Sequence, residues 1–428
     1  MGTIKKEYLN PQNYIQGSSC EFKLPDNKAI LGDIKLANLG LVVAGGGNRS
    51  YLTDSGVNGC LKKVVLLCKG VELSKMNDVN LLRSFQRLIG SNVSKLNSES
   101  FRDLCPNGLR VNQEVADANT DAYRLYSHES GFPVGTTDSN ANNGYINLNE
   151  ILPILKVIQI LDTSVLKDVR IRIEFETNAK NLVSVRNVDA TTTRPKLVFN
   201  CLYDEMVINQ LKSRSGYGSD KGVMWNEFEN DSFNILDSAA PPNGSLLDIP
   251  TNVRLNGFSN KFVNRMVLIK TYENPQTTGL LSEPTANSNG LNGNLNSVLT
   301  LNERVQITVN GSNLFNGVGL SNAGAINREF VETWGDIPSG LGESVLRTSF
   351  TSIYYKAAQF LAQHDGNKSY IGFGVYQNVR DLQIRHTRSV NQNTGDFFNQ
   401  PLRVIVVGEV MKRVVLNGKD GKPVIYYS

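Results

Sequence analysis

Alternation of apolar and polar residues is the main pattern along this chain, and it predicts β-strands. Val169–Thr177 alternates four apolar side chains with four charged ones, as a strand with one face on a core does. Leu402–Val407 is apolar on both faces, which predicts an interior strand covered on both sides. Further strands are predicted at Ile30–Val43, Val64–Cys68, Lys196–Leu202, Phe262–Thr271, Val305–Val309, Tyr370–Tyr376 and Leu382–His386. The Asn-Gly and other Gly-rich turns between them indicate antiparallel sheets joined by turns and long loops.

Helical periodicity is confined to a few places. The two clearest are Lys75–Ile89 and Phe350–Gln363, where apolar residues fall on one stripe. So few helices cannot cover both faces of a parallel sheet. The sequence therefore predicts an all-β fold with a few accessory helices.

Three long polar stretches separate the predicted strands, at 91–147, 213–252 and 271–296. Loops of this length are uncommon inside a compact domain unless they have a role or carry structure of their own. We expect them to make the contacts of this protein.

An internal repeat organises the chain. Val64–Leu73 matches Val305–Leu314 without a gap, each with a strand, a tight turn on a glycine and a returning leucine. A long strand precedes each copy, and an Arg- and Val-rich strand closes each half, Val169–Phe175 in the first and Leu402–Val407 in the second. The pattern predicts two similar β-sandwiches in tandem.

The length agrees with this arrangement, because 428 residues exceed the size at which one hydrophobic core usually stops growing. We predict an N-terminal arm at 1–20, a first sandwich at 21–205, a linker or loop region at 206–250 and a second sandwich at 251–428.

Composition argues against a membrane span and against a dedicated nucleic-acid site. The formal net charge is +4, and the lysines and arginines are dispersed rather than collected in a stripe. No run approaches the roughly 18 apolar residues that a spanning helix needs. The N-terminus has no apolar signal core, so we expect the protein to fold where it is made. Lys5 and Lys6 leave weak contact with a polyanion open, although a solvated terminus is the favoured interpretation.

The residues that usually carry chemistry are scattered. The five cysteines, Cys20, Cys60, Cys68, Cys105 and Cys201, are odd in number and lack C-x-x-C spacing, which favours reduced, partly buried thiols. The three histidines, His128, His364 and His386, form no metal-binding motif. Gly45–Gly47 and Gly216–Gly218 lack the Lys-Ser/Thr ending of a phosphate loop, so we interpret them as flexible loop tips.

One pair of carboxylates remains as a candidate catalytic site. Glu174 and Glu176 share a predicted strand face at about 7 Å, a spacing compatible with a glycosidase pair. Arg170 and Arg172 share that face, so a charged, paired outward surface is the favoured interpretation. The two tryptophans, Trp225 and Trp334, suit a sugar-stacking groove or, as we favour, core and interface anchors. We assign no catalytic, cofactor-binding or metal-binding residue and predict no cofactor and no enzymatic activity.

Three stretches carry a resemblance to a known family: Gly56–Leu67 running into Gly70–Leu73, Tyr145–Leu155, and the closing strands of Val404–Tyr427. The first is similar to a strand pair that feeds a helix, and the second to a short Leu-Pro-Ile turn before the last strands of a domain. They resemble the double jelly-roll major capsid proteins of the adenovirus and tailless-phage lineage, especially those of polinton-like viruses, virophages and related double-stranded DNA viruses.

This resemblance implies two eight-stranded jelly rolls side by side, in a structural protein that forms homotrimeric, pseudo-hexameric capsomers of an icosahedral shell. The implied partners are further copies of the chain, neighbouring capsomers, and minor capsid and penton proteins, with weak genome contact through the N-terminal arm. The implied location is the virion capsid, after synthesis and assembly in the host cytoplasm or nucleus. The alternative is a viral spike, a penton component or another receptor- or carbohydrate-binding protein of tandem β-sandwiches.

Overall fold

The structure is a computed structural model and describes residues 4–44, 56–90, 144–177, 189–235, 247–272, 304–315, 319–321, 323–334, 370–390, 402–416 and 422–427. Several predictions lie outside the described residues: the Gly45–Gly47 cluster, the helix at Phe350–Gln363, His128, His364, Cys105, and most of 91–147 and 271–296.

The first half of the chain is built mainly from short strands. They are β1 (Ile4–Leu9), β2 (Asn13–Ile15), β3 (Ser19–Lys23), β4 (Ala29–Leu31), β5 (Lys35–Leu39), β6 (Leu41–Ala44), β7 (Leu61–Cys68), β8 (Val71–Asn77), β9 (Gly144–Asn147), β10 (Ile160–Asp162), β11 (Val169–Phe175), β12 (Asp189–Thr192) and β13 (Lys196–Leu202). The α-helices are α1 (Val79–Gly90), α2 (Ile154–Val157) and α3 (Glu205–Arg214), with 3-10 turns at Gly56–Cys60 and Leu148–Glu150.

The second half has longer strands and one described helix. The strands are β14 (Val223–Ile235), β15 (Leu247–Arg254), β16 (Lys261–Tyr272), β17 (Arg304–Val309), β18 (Ser312–Asn313), β19 (Tyr370–Val379), β20 (Leu382–Val390), β21 (Leu402–Val415) and β22 (Val424–Tyr427), and the helix is α4 (Ala323–Trp334).

Each half contains two main antiparallel sheets with matching strand order, and β6 and β12 of the first half form an additional two-stranded sheet. One sheet has the order β3-β11-β7-β8 in the first half and β15-β20-β17-β18 in the second. We call the other sheet of the first half the β13 sheet. In it, β13 pairs with β1 on one side and with both β4 and β5 on the other. Strand β10 then pairs with β4, and β9 pairs with β5. The β21 sheet of the second half has the matching order β14-β21-β16-β19. Both halves are therefore jelly rolls of one topology, and the all-β prediction is confirmed.

The two copies of the internal repeat occupy equivalent positions, as predicted. Each forms a hairpin, β7–β8 or β17–β18, whose first strand pairs on its other side with β11 or β20. The turn residues have positive φ at both central positions: 49° and 76° at Lys69 and Gly70, and 53° and 82° at Asn310 and Gly311. This conformation suits the two-residue turn that matches strand twist.

The predicted pairing of the closing strands is wrong. Val169–Phe175 lies beside β7, as Leu382–Val390 lies beside β17. The true counterpart of β21 is β13, because each lies at the centre of its own sheet. Alternation identifies a strand but carries no information on its neighbours.

The predicted helix at Lys75–Ile89 begins too early. Residues up to Asn77 continue β8, and Asp78, at a φ of 46°, ends the strand. The carbonyl of Asp78 then accepts hydrogen bonds from the N–H groups of Leu81 and Leu82. The first helical residue is Val79.

The polar stretch 213–252 is also more ordered than predicted. It contains β14, which pairs with β21 in unbroken register over its whole length, and the start of β15. Both of these strands and β1 lie wholly or partly in segments predicted as linker or N-terminal arm, so the sheets extend beyond the expected sandwich ranges. The domain boundaries stay a prediction.

The cores lie between the sheets of each half. Val404, Ile405, Val406 and Val407 of β21 are all at most 2% exposed, which confirms the prediction of an interior strand. No helix among the described residues is long and apolar enough to cross a membrane.

Candidate functional site

The carboxylate pair proposed from the sequence does not form a joint surface. The pairing of β11 shifts register between Glu174 and Phe175, where the strand ends. Glu174 lies near the surface, with its Oε1 3.5 Å from Lys63 Nζ. Glu176 is buried and accepts a hydrogen bond from Asn80 Nδ2 at 2.9 Å. The predicted outward surface is therefore wrong for Glu176.

The arginines expected beside these glutamates bind a different carboxylate. Arg170 and Arg172 contact the two oxygens of Glu21 on β3 at 2.8 and 3.0 Å. Burial would raise the pKa of Glu21, but the two arginines outweigh it and hold the pKa below its ordinary value.

The glycine pair at 216 and 218 forms a fixed turn, so its interpretation as a flexible loop tip is wrong. The Tyr217 hydroxyl between the glycines donates to the Ile160 carbonyl and accepts from the Asp162 N–H, each at 3.1 Å. Gly216 has a φ of +73°, and a Cβ there would stand 2.4 Å from a methyl carbon of Val223. Glycine is required at this position.

The remaining candidates are buried. Trp225 and Trp334 are 4% and 5% exposed, so the prediction of anchors is confirmed. Cys20, Cys60, Cys68 and Cys201 are buried free thiols, and burial raises the pKa of Cys20 and of Cys60 to about 12. Within the described ranges, no group of three or more His, Cys, Asp or Glu side chains could hold a metal ion.

The arrangement with functional consequences is the contact between the two halves, which we call the junction. It is formed by β8 and α1 of the first half and by β14, β21 and α4 of the second. Its apolar part centres on Phe85 of α1, whose ring meets Phe330 and Trp334 of α4 edge-on at centroid distances of 6.3 and 5.3 Å. Trp334 also stacks on Phe228 of β14 at 6.1 Å. Aromatic pairs of this kind add about 0.5–1.5 kcal/mol each beyond area burial.

The polar part of the junction centres on Glu227. Its Oε1 accepts hydrogen bonds from the Ser74 hydroxyl and the Lys75 N–H of β8, both at 2.5 Å. Its Oε2 lies 2.5 Å from the ammonium of Lys412, which is also 2.7 Å from Glu229. Glu227 and Lys412 are 1% and 3% exposed. A buried ion pair on the second half is thus hydrogen-bonded to the backbone of the first.

The charges of this cluster balance. Lys261 forms an ion pair with Oε2 of Glu229, whose Oε1 contacts Lys412, so the cluster contains two lysines and two glutamates. Burial would lower the pKa of Lys412, but the two glutamates outweigh it and raise the pKa. Burial would raise the pKa of Glu229, but Lys412 and Lys261 hold it below its ordinary value. Burial dominates at Glu227 and raises its pKa. The ring of Tyr427 on β22 lies 5.0 and 5.2 Å from the two ammonium groups.

A second polar cluster closes the edge of the junction around Asp78. Its Oδ1 lies 2.5 Å from Lys62 Nζ, and its Oδ2 accepts from Asn230 Nδ2 at 2.7 Å and lies 3.5 Å from Arg403. Asn77 Nδ2 donates to Asn230 Oδ1 at 3.0 Å. These residues line an open groove of about 310 Å³. Arg403 of the second half pairs with Asp78 of the first, so the groove joins the halves through an ion pair.

Sequence reasoning missed Glu227 and Lys412. A weak signal exists for Lys412, because its neighbours on the same strand face, Val410 and Val414, are both apolar. Glu227 has apolar Trp225 on one side but Glu229 on the other. The pairing of β14 with β21 that brings the charges together is not visible in the sequence.

Comparisons with known proteins give structural matches only. No protein-family model matches the chain, and no curated protein matches it in sequence. The crystal structure of the mavirus major capsid protein aligns with a TM-score of 0.55 at 10% identity, over 99% of this chain and 90% of that one. A chain of the PBCV-1 virus capsid gives 0.53 at 10%, over 100% and 97%. A chain of the Sputnik virophage structure gives 0.58 at 8%, over 99% and 88%. The chain therefore has the double jelly-roll fold of viral major capsid proteins along its full length.

Proposed function

We propose that this chain is the major capsid protein of an icosahedral double-stranded DNA virus and builds the shell as trimers of pseudo-hexameric outline. The observation that carries the proposal is the full-length agreement of both jelly rolls with capsid chains, in which neither side has a large unmatched domain. At 10% identity the agreement concerns the fold. The proposed function is therefore argued from the architecture and is tested by the experiment below.

The architecture suits the proposed role for a geometric reason. Two halves of one topology give a trimer six similar units, so three chains can fill a site with six neighbours. Closed cyclic symmetry also keeps the contacts from growing into open filaments. A shell subunit needs its halves held in one orientation, and the buried ion pairs and aromatic contacts of the junction supply that constraint.

The same proposal assigns the chain a structural and non-enzymatic role in the virion capsid. Its partners would be further copies of itself, neighbouring capsomers, and minor capsid and penton proteins. Weak contact with the genome would involve the N-terminal segment with Lys5 and Lys6, both exposed on β1. Residues 91–147 and 271–296 would contribute to the outer surface and to subunit contacts.

The mass of the purified full-length protein tests the proposal. Light scattering should give the mass of a trimer or of a larger shell. Each subunit pair of such an assembly should bury more than roughly 2,000 Å². Deleting residues 276–292 should weaken assembly or alter the surface while leaving the melting of both sandwiches unchanged. A stable monomer at micromolar concentration that never forms particles would overturn the proposal and favour a receptor- or carbohydrate-binding protein.

A further inference from the structure

Lys412 holds its amine between two carboxylates in a buried part of the junction. The nitrogen lies 2.5 Å from Oε2 of Glu227 and 2.7 Å from Oε1 of Glu229. The side chains of Lys412, Glu227 and Glu229 are 4%, 0% and 7% exposed. Trp225 lies directly opposite Lys412 in the register of β14 and β21, and the ring of Tyr427 lies 5.2 Å from the amine. An amine and a carboxyl group are thus in contact and shielded from solvent.

The two oxygens of the Glu227 carboxylate have different surroundings. Oε1 accepts hydrogen bonds from the Ser74 hydroxyl and the Lys75 N–H, each at 2.5 Å. Oε2 faces the amine of Lys412. A backbone N–H and a hydroxyl that converge on one oxygen are the donors that stabilise an oxyanion when a nucleophile attacks the adjoining carbon. Oε1 is therefore placed to become the oxyanion, and Oε2 is placed to leave.

Glu229 is placed to move protons between the amine and the leaving oxygen. Its Oε1 contacts the amine, and its Oε2 pairs with Lys261, which fixes the carboxylate. An amine attacks as the free base, and a neighbouring carboxylate can take its proton. Burial raises the pKa of Glu227, which favours protonation of the group that has to lose an oxygen. Although burial opposes it, the two glutamates raise the pKa of Lys412, so the free amine is a minor form and the reaction is slow.

We propose that Lys412 and Glu227 condense into an intramolecular isopeptide bond that joins β21 to β14. The bond between Nζ of Lys412 and Cδ of Glu227 forms, and the bond between Cδ and Oε2 breaks. Of the three ammonium protons, one stays on the amide nitrogen and two leave with Oε2 as water, passed on by Glu229. The ion pair contains every atom of the amide and the water, so the step needs no oxidant, reductant or cofactor. Contact between the reacting groups replaces the entropy cost of bringing them together.

The amide suits this buried position better than the ion pair does. One positive and one negative charge disappear together, and Lys261 stays paired with Glu229, so the cluster remains balanced. The loss of two charges removes the cost of keeping them away from water. Oε1 becomes the amide oxygen and still accepts from Ser74 and Lys75, so the contact between the halves is retained. The bond lies within one chain and does not rest on the proposed assembly.

Mass spectrometry of the denatured full-length protein tests the bond without any substitution. The chain should be lighter by one water molecule than its sequence requires. Proteolysis should give a branched peptide that joins a β14 fragment to a β21 fragment through Glu227 and Lys412. A full sequence mass after prolonged incubation of the folded protein overturns the proposal. A water loss that maps to a single unbranched peptide, as ring closure at an aspartate gives, overturns it as well.

Glu229→Gln tests the proton transfer, because both reacting groups remain while the base is lost. The linked fraction, followed over time after synthesis, should rise at least about tenfold more slowly than in the wild type. Glu174→Gln is the matched control, since it makes the same change at a surface glutamate 3.5 Å from Lys63, and it should link at the wild-type rate. Lys412→Met should keep the full sequence mass. A folded Glu229→Gln protein that links at the wild-type rate overturns the role of Glu229, and a water loss that persists in Lys412→Met overturns the bond.

Discussion

Replacing Lys412 by methionine should destabilise the protein far more than the loss of an ordinary lysine. The side chain is 3% exposed and contacts two carboxylates, Glu227 at 2.5 Å and Glu229 at 2.7 Å. Methionine fills a similar volume but leaves Glu227 with no cation and Glu229 with Lys261 alone. Removing one partner of a buried ion pair costs about 3–5 kcal/mol.

The sign of the pH dependence in this variant follows from the same contacts. Without Lys412, burial and the neighbouring Glu229 would raise the pKa of Glu227 further in the folded state, whereas the unfolded chain keeps an ordinary value. A carboxyl whose folded pKa is raised stabilises the fold at low pH and loses that contribution as the pH rises through it. Part of the loss in Lys412→Met should therefore be recovered between neutral pH and about pH 5.

The two tryptophans make the assay direct, because both are buried at the junction. Urea unfolding followed by tryptophan fluorescence should show the cost as a lower midpoint, with Lys63→Met as the control. Lys63 forms a partly exposed pair with Glu174 at 3.5 Å, which is worth about 0–1 kcal/mol. Equal midpoints for the two variants would refute the claim that the buried cluster holds the halves together.

Three further outcomes are expected from single substitutions, and a fourth from the unmodified protein. Phe85→Ala should cost about 3–5 kcal/mol in urea unfolding, because a fully buried ring between α1 and α4 is lost; a cost below 1 kcal/mol would contradict the apolar junction. Gly70→Ala should cost about 1 kcal/mol through backbone strain alone, since φ is +76° and a Cβ there would have nothing within 4 Å; an unchanged midpoint would argue against the turn. The pKa of Glu21 is held low in the folded state, so the stability that Glu21 contributes is present above about pH 4.3 and is lost as the pH falls through its folded pKa. Glu21→Gln should therefore make stability depend less on pH in the acid range. An unchanged dependence would contradict the pairing of Glu21 with the two arginines. Thiol labelling of the folded protein should be slow at Cys20 and Cys60, whose pKa burial raises to about 12, and rapid modification mapped to these sites would show that they are accessible.

Much of the fold could be predicted where the residues of a single strand or turn show its structure by themselves. Within Leu402–Val407 the run from Val404 to Val407 is apolar on both faces, and this run is buried on both faces because the core of the second half lies on one side and the junction on the other. The repeated turn on Gly70 and Gly311 marks equivalent hairpins because positive φ at two successive positions restricts the residues that fit.

Features that depend on partners distant in sequence could not be predicted. The sequence of β14 resembles a polar loop because Glu227 and Glu229 interrupt its apolar residues, yet Lys412 and Lys261 neutralise both in the fold. Sequence alternation places Glu176 on the same face as Glu174, whereas the register shift at the end of β11 separates the two side chains. The candidate site was missed for the same reason, since no local pattern shows that Ser74 will donate to Glu227.

Single-particle cryo-electron microscopy of the assembled full-length protein tests the central claim most directly. Particles or capsomers of three chains with six similar jelly rolls are expected. A map showing isolated two-domain monomers, or an assembly without threefold symmetry, would contradict it.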